Sequence, residues 1–572
     1  MATETILNGV AQENGKRGKL HGRAFYESIG SPKLVLAPMV EQSEFAWRLL
    51  SRSFLPASQQ KSLLAYTPMF HSKMFGEKSN YRDTHFQPLK CTIPSPVDDY
   101  YLSQLPGSER HLDGHPALDR PLIVQFCSND PDDFLRAAKH VAPFCDAVDL
   151  NLGCPQGIAK RGKYGAFLQE DWDLIASMIR KLHQELDVPV TAKMRVLETP
   201  EKTLAYAKTL LDAGASIITV HGRRREQKGH NTGLADWKMI RHLRENLPKD
   251  TVLFANGNIL QHEDIAACLE ATGADGVMSA EGNLYDPTIF AAPPPVGQEG
   301  GEYWRGRDGK GGYRMDAVMR RYLDIIHKYA LGQEPPNRKP LWLPGDPEHV
   351  PEQENVKTED EEEGPPKKKR KQMSKSDKKK EKTANPNLTA MQAHLFHLLR
   401  PLVAEHHNVR DALARSRTGD IDAFENVLAL TEKAVKEGIQ KYEQEHADND
   451  ISNPTTASTP QPTATEDTSS EPLDPYESSL ATVARCKRPY WVCQPYVRPL
   501  PKEAIEKGSM TVSKKERKKL EQEAEQVVKR GEEDVRDVGL QPGGRVEEEV
   551  LVGEKGEGEE IVEKPRDGVV CG

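Results

Sequence analysis

Eight short apolar runs follow one another between Leu34 and Ala280, and no other feature constrains the fold of this chain as tightly. They are Leu34–Val40, Leu63–Pro68, Leu122–Phe126, Ala147–Leu150, Val188–Arg195, Ser216–Gly222, Thr251–Gly257 and Ala274–Ala280. Each has the length and composition of a parallel strand buried on both faces. Between most of them lie stretches with helical spacing of apolar residues, such as Trp172–His183 and Thr203–Asp212. Eight strand–helix units predict an α/β fold, a (β/α)₈ barrel over residues 30–295. An open doubly wound sheet is the alternative, but no Gly-x-Gly-x-x-Gly follows the first run.

In such a barrel the chemistry sits at the C-terminal ends of the strands. Special residues collect there: Pro38, Met39 and Val40 after the first run, Gln125 in the third, and Asn151 and Cys154 after the fourth. Lys193 and Arg195 end the fifth, His221 the sixth, Asn256, Gly257 and Asn258 the seventh, and Ala280, Glu281 and Gly282 the eighth. A single Gln or Asn at a strand end more often satisfies backbone groups. Lys193 follows an apolar run and points into the mouth, where a lysine needs an anionic partner. Cys154 stands in a Gly153–Cys154–Pro155–Gln156 turn; by itself it reads equally as a small buried thiol.

The last two runs supply a phosphate site. Asn256–Gly257–Asn258 and Ala280–Glu281–Gly282 combine small residues with exposed backbone N–H groups, as at many barrel phosphate sites. Phosphate there, with Lys193 and His221 beside it, suits flavin mononucleotide (FMN). Lys193 is then expected near the N1/O2 edge of the ring, with Pro38 and Met39 as apolar contacts.

Taken together, the segments Ala37–Val40, Gln125–Asn129, Asp149–Gln156, Lys193–Arg195, Thr219–Arg223, Ala235–Trp237, Ala255–Ile259 and Met278–Gly282 resemble the tRNA-dihydrouridine synthases, in family order and across the barrel. The segment Arg488–Pro499 and the Leu152–Gln156 form resemble the eukaryotic, fungal-like branch acting at positions 16 and 17 of the D-loop. The resemblance implies reduction of uridine to dihydrouridine, with FMN as cofactor, NADPH or NADH as reductant and tRNA as partner. It implies Cys154 as the acid that protonates uracil C5. It also implies Asn151, Arg195 and Arg223 as substrate contacts, and Val40, Gln125 and Ala280 among the cofactor contacts. A thiol suits the acid's task, being protonated at neutral pH yet able to release its proton. The target base must leave its stack to be reached.

The net charge of −9 over 572 residues gives no global nucleic-acid signal. Two local clusters do: Lys160, Arg161 and Lys163 after the cysteine turn, and Arg223, Arg224, Arg225, Lys228 and His230 after the sixth run. The eight cysteines include no Cys-x-x-Cys, so no metal site is expected. No apolar run is long enough to span a membrane.

The remaining chain divides by composition. Residues 1–29 are expected to be a flexible N-terminus. Residues 310–332 and 390–445 read as helical, and the resemblance makes them a tRNA-binding domain. Residues 333–389 form a charged insert, expected to be disordered, that holds the basic run Lys367–Lys371. That run reads as a signal for a nuclear import receptor, placing the protein in nucleus, cytoplasm or both. Residues 446–572 are expected to be a mostly disordered or charged tail.

Three functions compete on the sequence alone. One is an RNA-reducing flavoenzyme acting at positions 16/17 or at other tRNA or mRNA positions. Another is a small-molecule FMN oxidoreductase akin to dihydroorotate dehydrogenase. The third is an RNA-binding protein that keeps the scaffold without the chemistry. The basic loops and helical extension weigh against the second; intact Cys154, Lys193 and His221 weigh against the third.

Overall fold

The apolar runs close on one another. The structure, a computed structural model, describes residues 19–90, 111–346, 385–452 and 478–506. The strands are β1 Leu34–Leu36, β2 Leu63–Tyr66, β3 Phe70–His71, β4 Leu122–Cys127, β5 Ala147–Leu152, β6 Val190–Arg195, β7 Ile217–His221, β8 Val252–Asn256 and β9 Gly276–Ser279. All are parallel, and the ring runs β1-β2-β4-β5-β6-β7-β8-β9 and back to β1, an eight-stranded barrel.

The second run behaves differently from its unbroken pattern. It pairs with β4 as far as Tyr66↔Ile123, lapses, and resumes as β3 at Phe70↔Phe126. Pro68 sits in the gap, where it has no N–H to give to a ladder.

Strand residues from β4 to β9 are buried throughout, as expected when helices cover the outside. Four outer helices start on a side-chain cap: Asp130, Asp171, Thr199 and Asp236 each accept a backbone N–H from the first turn. Pro131 and Pro200 occupy first helical positions, where no N–H is missed.

The helix Phe45–Ser53 is tied to the barrel by buried charge. Arg48 donates to Asp119 (2.9 and 2.5 Å) and Asp113 (2.8 Å), and Arg52 to Asp119 (3.1 Å) and the Pro121 carbonyl (2.7 Å). Two cations meet two anions with almost no solvent contact.

Three boundaries differ from those expected. Residues 22–28 are not a loose terminus but a helix across the N-terminal end of the barrel, where Arg23 bonds Asp275 (2.6 Å) and the Tyr26 hydroxyl bonds its carbonyl (3.1 Å). The ends of the charged insert are packed: Arg338 bridges Asp324 and Glu425, and Asn387 accepts from the Ala46 N–H (2.9 Å). The tail returns at 478–506, where Trp491, Val492 and Cys493 are buried. Each is ordered by contacts with other segments of the chain.

Helices Met315–Ile325, Met391–Leu398, Arg400–Glu405, His407–Arg415 and Ile421–Ser452 stack beside the barrel. They share its core. The His394 ring lies flat on Trp47 (3.8 Å, 2°) and meets the Glu44 carboxylate (3.0 Å), while the Trp47 N–H bonds Asn283 (2.8 Å). The tail closes the assembly. Val492 bridges Arg314, the Cys493 N–H bonds the Tyr313 carbonyl (2.9 Å), and Trp491 fits against Trp304 and Tyr442. Among the described residues no helix is long and apolar enough to cross a membrane.

Asp119→Ala would leave two desolvated guanidinium groups facing one remaining carboxylate. It is expected to lower the unfolding free energy by roughly 3–5 kcal/mol, read from denaturant titration of the full-length chain. A loss below about 1 kcal/mol would show that the cluster is effectively solvated.

Candidate active site at the C-terminal mouth of the barrel

Asp149 lies in the middle of β5, inside the barrel and without solvent contact. Its carboxylate accepts from the Thr191 hydroxyl (2.7 Å) and from Gln125 Nε2 (2.8 Å). Gln125 Oε1 in turn accepts from Asn151 Nδ2 (2.8 Å), and Asn151 Oδ1 accepts from the N–H groups of Gly153 (3.1 Å) and Cys154 (2.9 Å). The backbone donors at the turn fix which end of Asn151 is oxygen; that fixes Gln125, and Gln125 requires an acceptor at position 149. Burial pushes the Asp149 carboxyl up to about 6, against the opposing pull of those hydrogen bonds and of Lys193.

The turn is gripped from a second side. Arg195 donates from Nε to the Gly153 carbonyl (2.6 Å) and from Nη1 to the Arg224 carbonyl (3.2 Å). Gly165, at φ +65°, packs so closely that a Cβ there would sit 2.8 Å from the Cys154 carbonyl oxygen. Cys154 itself is 1% exposed, clustered with Cys127, Ala159 and Tyr164 under Val40, Met69 and Phe167.

Asn151, Lys193 and Thr219 are register neighbours across β5–β7, and one level up so are Arg195, His221, Asn256 and Met278. Lys193 is buried. His221 accepts from Arg223 Nη1 at Nε2 (3.1 Å), which puts the ring proton on Nδ1. Burial, with Arg195, Lys193 and Arg223 nearby, pushes His221 well below its ordinary value, so the ring is neutral at physiological pH. His221 Nδ1 and Asn256 Oδ1 are buried without a protein partner among the described residues. One is a donor and the other an acceptor, and both call for a polar ligand.

Beside them the backbone is bare. Gly257 has φ +116°, and a Cβ on it would lie 2.6 Å from Ala235 Cβ and 3.2 Å from the His221 ring. Ala280 and Glu281 lead into the short helix Glu281–Tyr285 at the end of β9. Pro38, Met39 and Val40 follow β1 on the same rim; Pro38 and Met39 are buried and Val40 half-buried. A buried lysine, a neutral histidine with an unused N–H, an unpaired amide oxygen and a glycine cradle fit the edge and phosphate of a flavin nucleotide.

Several expected contacts have other employment. Gln125 and Asn151 have both amide ends bonded within the barrel, and Asn151 and Arg195 position the cysteine turn. Arg223 bonds the Gly233 carbonyl, His221 and Asn258, and Asn258 also bonds Ala235, so both side chains hold the loop after β7. That loop carries less available charge than its sequence suggests. Arg225 pairs with Glu170 and Glu226 and Lys228 donates to the Pro155 carbonyl (2.7 Å). The adjoining groove, about 510 Å³, is lined by five carboxylates including Glu170 and Glu198. Lys160, Arg161 and Lys163 do stand exposed beside the cysteine turn. Sequence reading did not single out Asp149 and Thr191; a carboxylate in mid-strand was the available signal. It also passed over Arg498, which reaches Glu281 from the tail (2.6 Å). Among the described residues no group of three His, Cys, Asp or Glu side chains is placed to hold a metal ion.

The family model for dihydrouridine synthase matches residues 35–300, the whole barrel. The chain is 41% identical over 483 residues to a tRNA-dihydrouridine(16/17) synthase of Schizosaccharomyces pombe, covering 84% of this chain and 92% of that protein. This chain belongs to the dihydrouridine synthase family. It is also 39% identical over 500 residues to a tRNA-dihydrouridine(16/17) synthase of Saccharomyces cerevisiae, covering 87% of this chain and 90% of the other. Similarity to a human tRNA-dihydrouridine(20a/20b) synthase-like protein is 30% over 260 residues, 45% of this chain and 70% of that one. The longer matches exceed the barrel and so include the helices beside it.

Gly257→Leu places a side chain where Ala235 and His221 stand, at a backbone angle that side chains avoid. The purified variant is expected to be colourless, with flavin absorbance at 450 nm lost. Full flavin content in a folded variant would remove Gly257 from the cradle.

Proposed function

We propose that this chain reduces uridine to 5,6-dihydrouridine at positions 16 and 17 of the tRNA D-loop, with FMN as cofactor and NAD(P)H as reductant. The observation that carries the reading is a cysteine turn pinned at the barrel mouth by Asn151 and Arg195, beside two successive levels that hold Lys193 and then His221 and Asn256. Similarity to 16/17 synthases along the helices as well as the barrel supports the choice of positions.

When bound, FMN would supply hydride transfer from NAD(P)H to C6 of uracil. The residues do the rest. Lys193 would supply a cation to the bound flavin, and His221, neutral, would donate to it from Nδ1. Cys154 gives its proton to C5. Asn151 and Arg195 hold the turn so that the thiol stays on the substrate side, and their own donors and acceptors are already matched within the protein. Lys160, Arg161 and Lys163 meet the RNA backbone around the flipped base. The basic run Lys367–Lys371, which lies outside the described residues, supports import into the nucleus.

Cys154→Ala separates the half-reactions. It is expected to bind FMN and oxidise NADPH at nearly the wild-type rate, while dihydrouridine formation in unmodified tRNA falls roughly 10²- to 10⁴-fold. Stopped-flow flavin reduction and mass spectrometry of positions 16 and 17 read the two steps. Wild-type tRNA reduction by the variant would make the thiol structural.

A further inference from the structure

Glu281 is an awkward residue for a phosphate cradle. It stands at the end of β9, next to Gly282 and across from Gly257, where the cofactor reading places a phosphomonoester. Such a group carries more than one negative charge at neutral pH, and an unneutralised carboxylate beside it would repel it. The structure resolves the conflict with a residue more than 200 positions away. Arg498 clasps the Glu281 carboxylate with Nε (2.9 and 3.1 Å) and Nη2 (2.6 Å). This two-pronged geometry fixes the guanidinium plane. Its Nη1 has no protein partner among the described residues, and the side chain is 43% exposed.

Arg498 is held there on purpose-built footing. Six residues before it Val492 is fully buried, and Gln494 bonds back to the carbonyls of Arg488 and Pro489. The Tyr496 ring lies between Arg498 (5.9 Å) and Arg400 (3.8 Å) and against Tyr285. Arg223 counts both Glu281 and Arg498 among its charged neighbours, which places the pair on the β7–β9 side of the mouth. The other arginines there are committed: Arg195 to the cysteine turn and Arg223 to its own loop.

We propose that Arg498, delivered by the C-terminal tail, completes the cofactor's phosphate site: it neutralises Glu281 and donates from Nη1 to the phosphate of FMN. The inference rests on the FMN reading above and adds to it a ligand from outside the barrel. It makes a flavin without phosphate the natural control.

The experiment titrates FMN and riboflavin, by flavin fluorescence, into the full-length chain stripped of cofactor, for wild type, Arg498→Met and Arg498→Lys. Arg498→Met is expected to raise the Kd for FMN roughly 10- to 100-fold, the scale of one charge-assisted hydrogen bond. The Kd for riboflavin should stay within about twofold, and Arg498→Lys should recover part of the FMN affinity because it restores the charge without the fork. Equal loss of both flavins would overturn the proposal and make the segment a structural strap. Unchanged FMN affinity with weakened tRNA binding would also overturn it, assigning Arg498 to the RNA backbone. If the wild-type chain binds neither flavin, the cofactor reading itself falls, and this inference with it.

Discussion

A barrel interior offers little water to a polar side chain, so a polar group placed there must find its partner in the protein or in a bound ligand. That requirement organises the site. Asp149 needs donors and takes them from Thr191 and Gln125; Gln125 is then left with an oxygen to satisfy, and Asn151 satisfies it. The last acceptor in the chain is offered to the backbone of the turn that carries Cys154. The cysteine turn after β5 is thereby registered against a carboxylate inside the barrel. Nothing in that chain can turn over without leaving a buried donor facing a donor.

The same economy of partners extends outward. The helices beyond the barrel are joined to it by a stacked His394–Trp47 pair and a His394–Glu44 contact with almost no solvent exposure. The interface is continuous with the barrel's own core, and inter-domain freedom of the usual kind has no seam to act on. The helices therefore stand at one fixed distance and angle from the mouth.

What could be read from the sequence, and what could not, divides along contact range. The eight strands announce themselves locally, because burial on both faces demands continuous apolar runs, and the mouth residues follow once strand ends are known. Lys193, His221, Asn256 and Cys154 come together at one end for that reason. Side-chain employment was not legible. Nothing in the letters says that Arg223 and Asn258 hold a loop, or that Asn151 faces the turn backbone. The interruption at Pro68 was readable in principle, since a proline cannot serve a central ladder. The helix Gly22–Ser28 and the return of Trp491 were not: both are short segments whose order comes from partners in other parts of the chain. Asp149 was hidden by its setting, a single charge inside a pattern otherwise read for hydrophobicity.

The tail has a consequence for how the molecule is made. Trp491 covers Gly438, Val492 pairs beside the Gly311–Tyr313 strand, and Met315 gives its N–H to the Trp491 carbonyl. A chain emerging from the ribosome has its barrel strands available long before residue 492 leaves the exit tunnel. The helix Met315–Ile325 and the neighbouring hairpin keep apolar surface uncovered until a partner synthesised much later arrives. Closure of that wall is therefore a late event in the making of this chain. A chain cut short before that point keeps the lateral wall open and leaves in water the apolar surface that the tail covers.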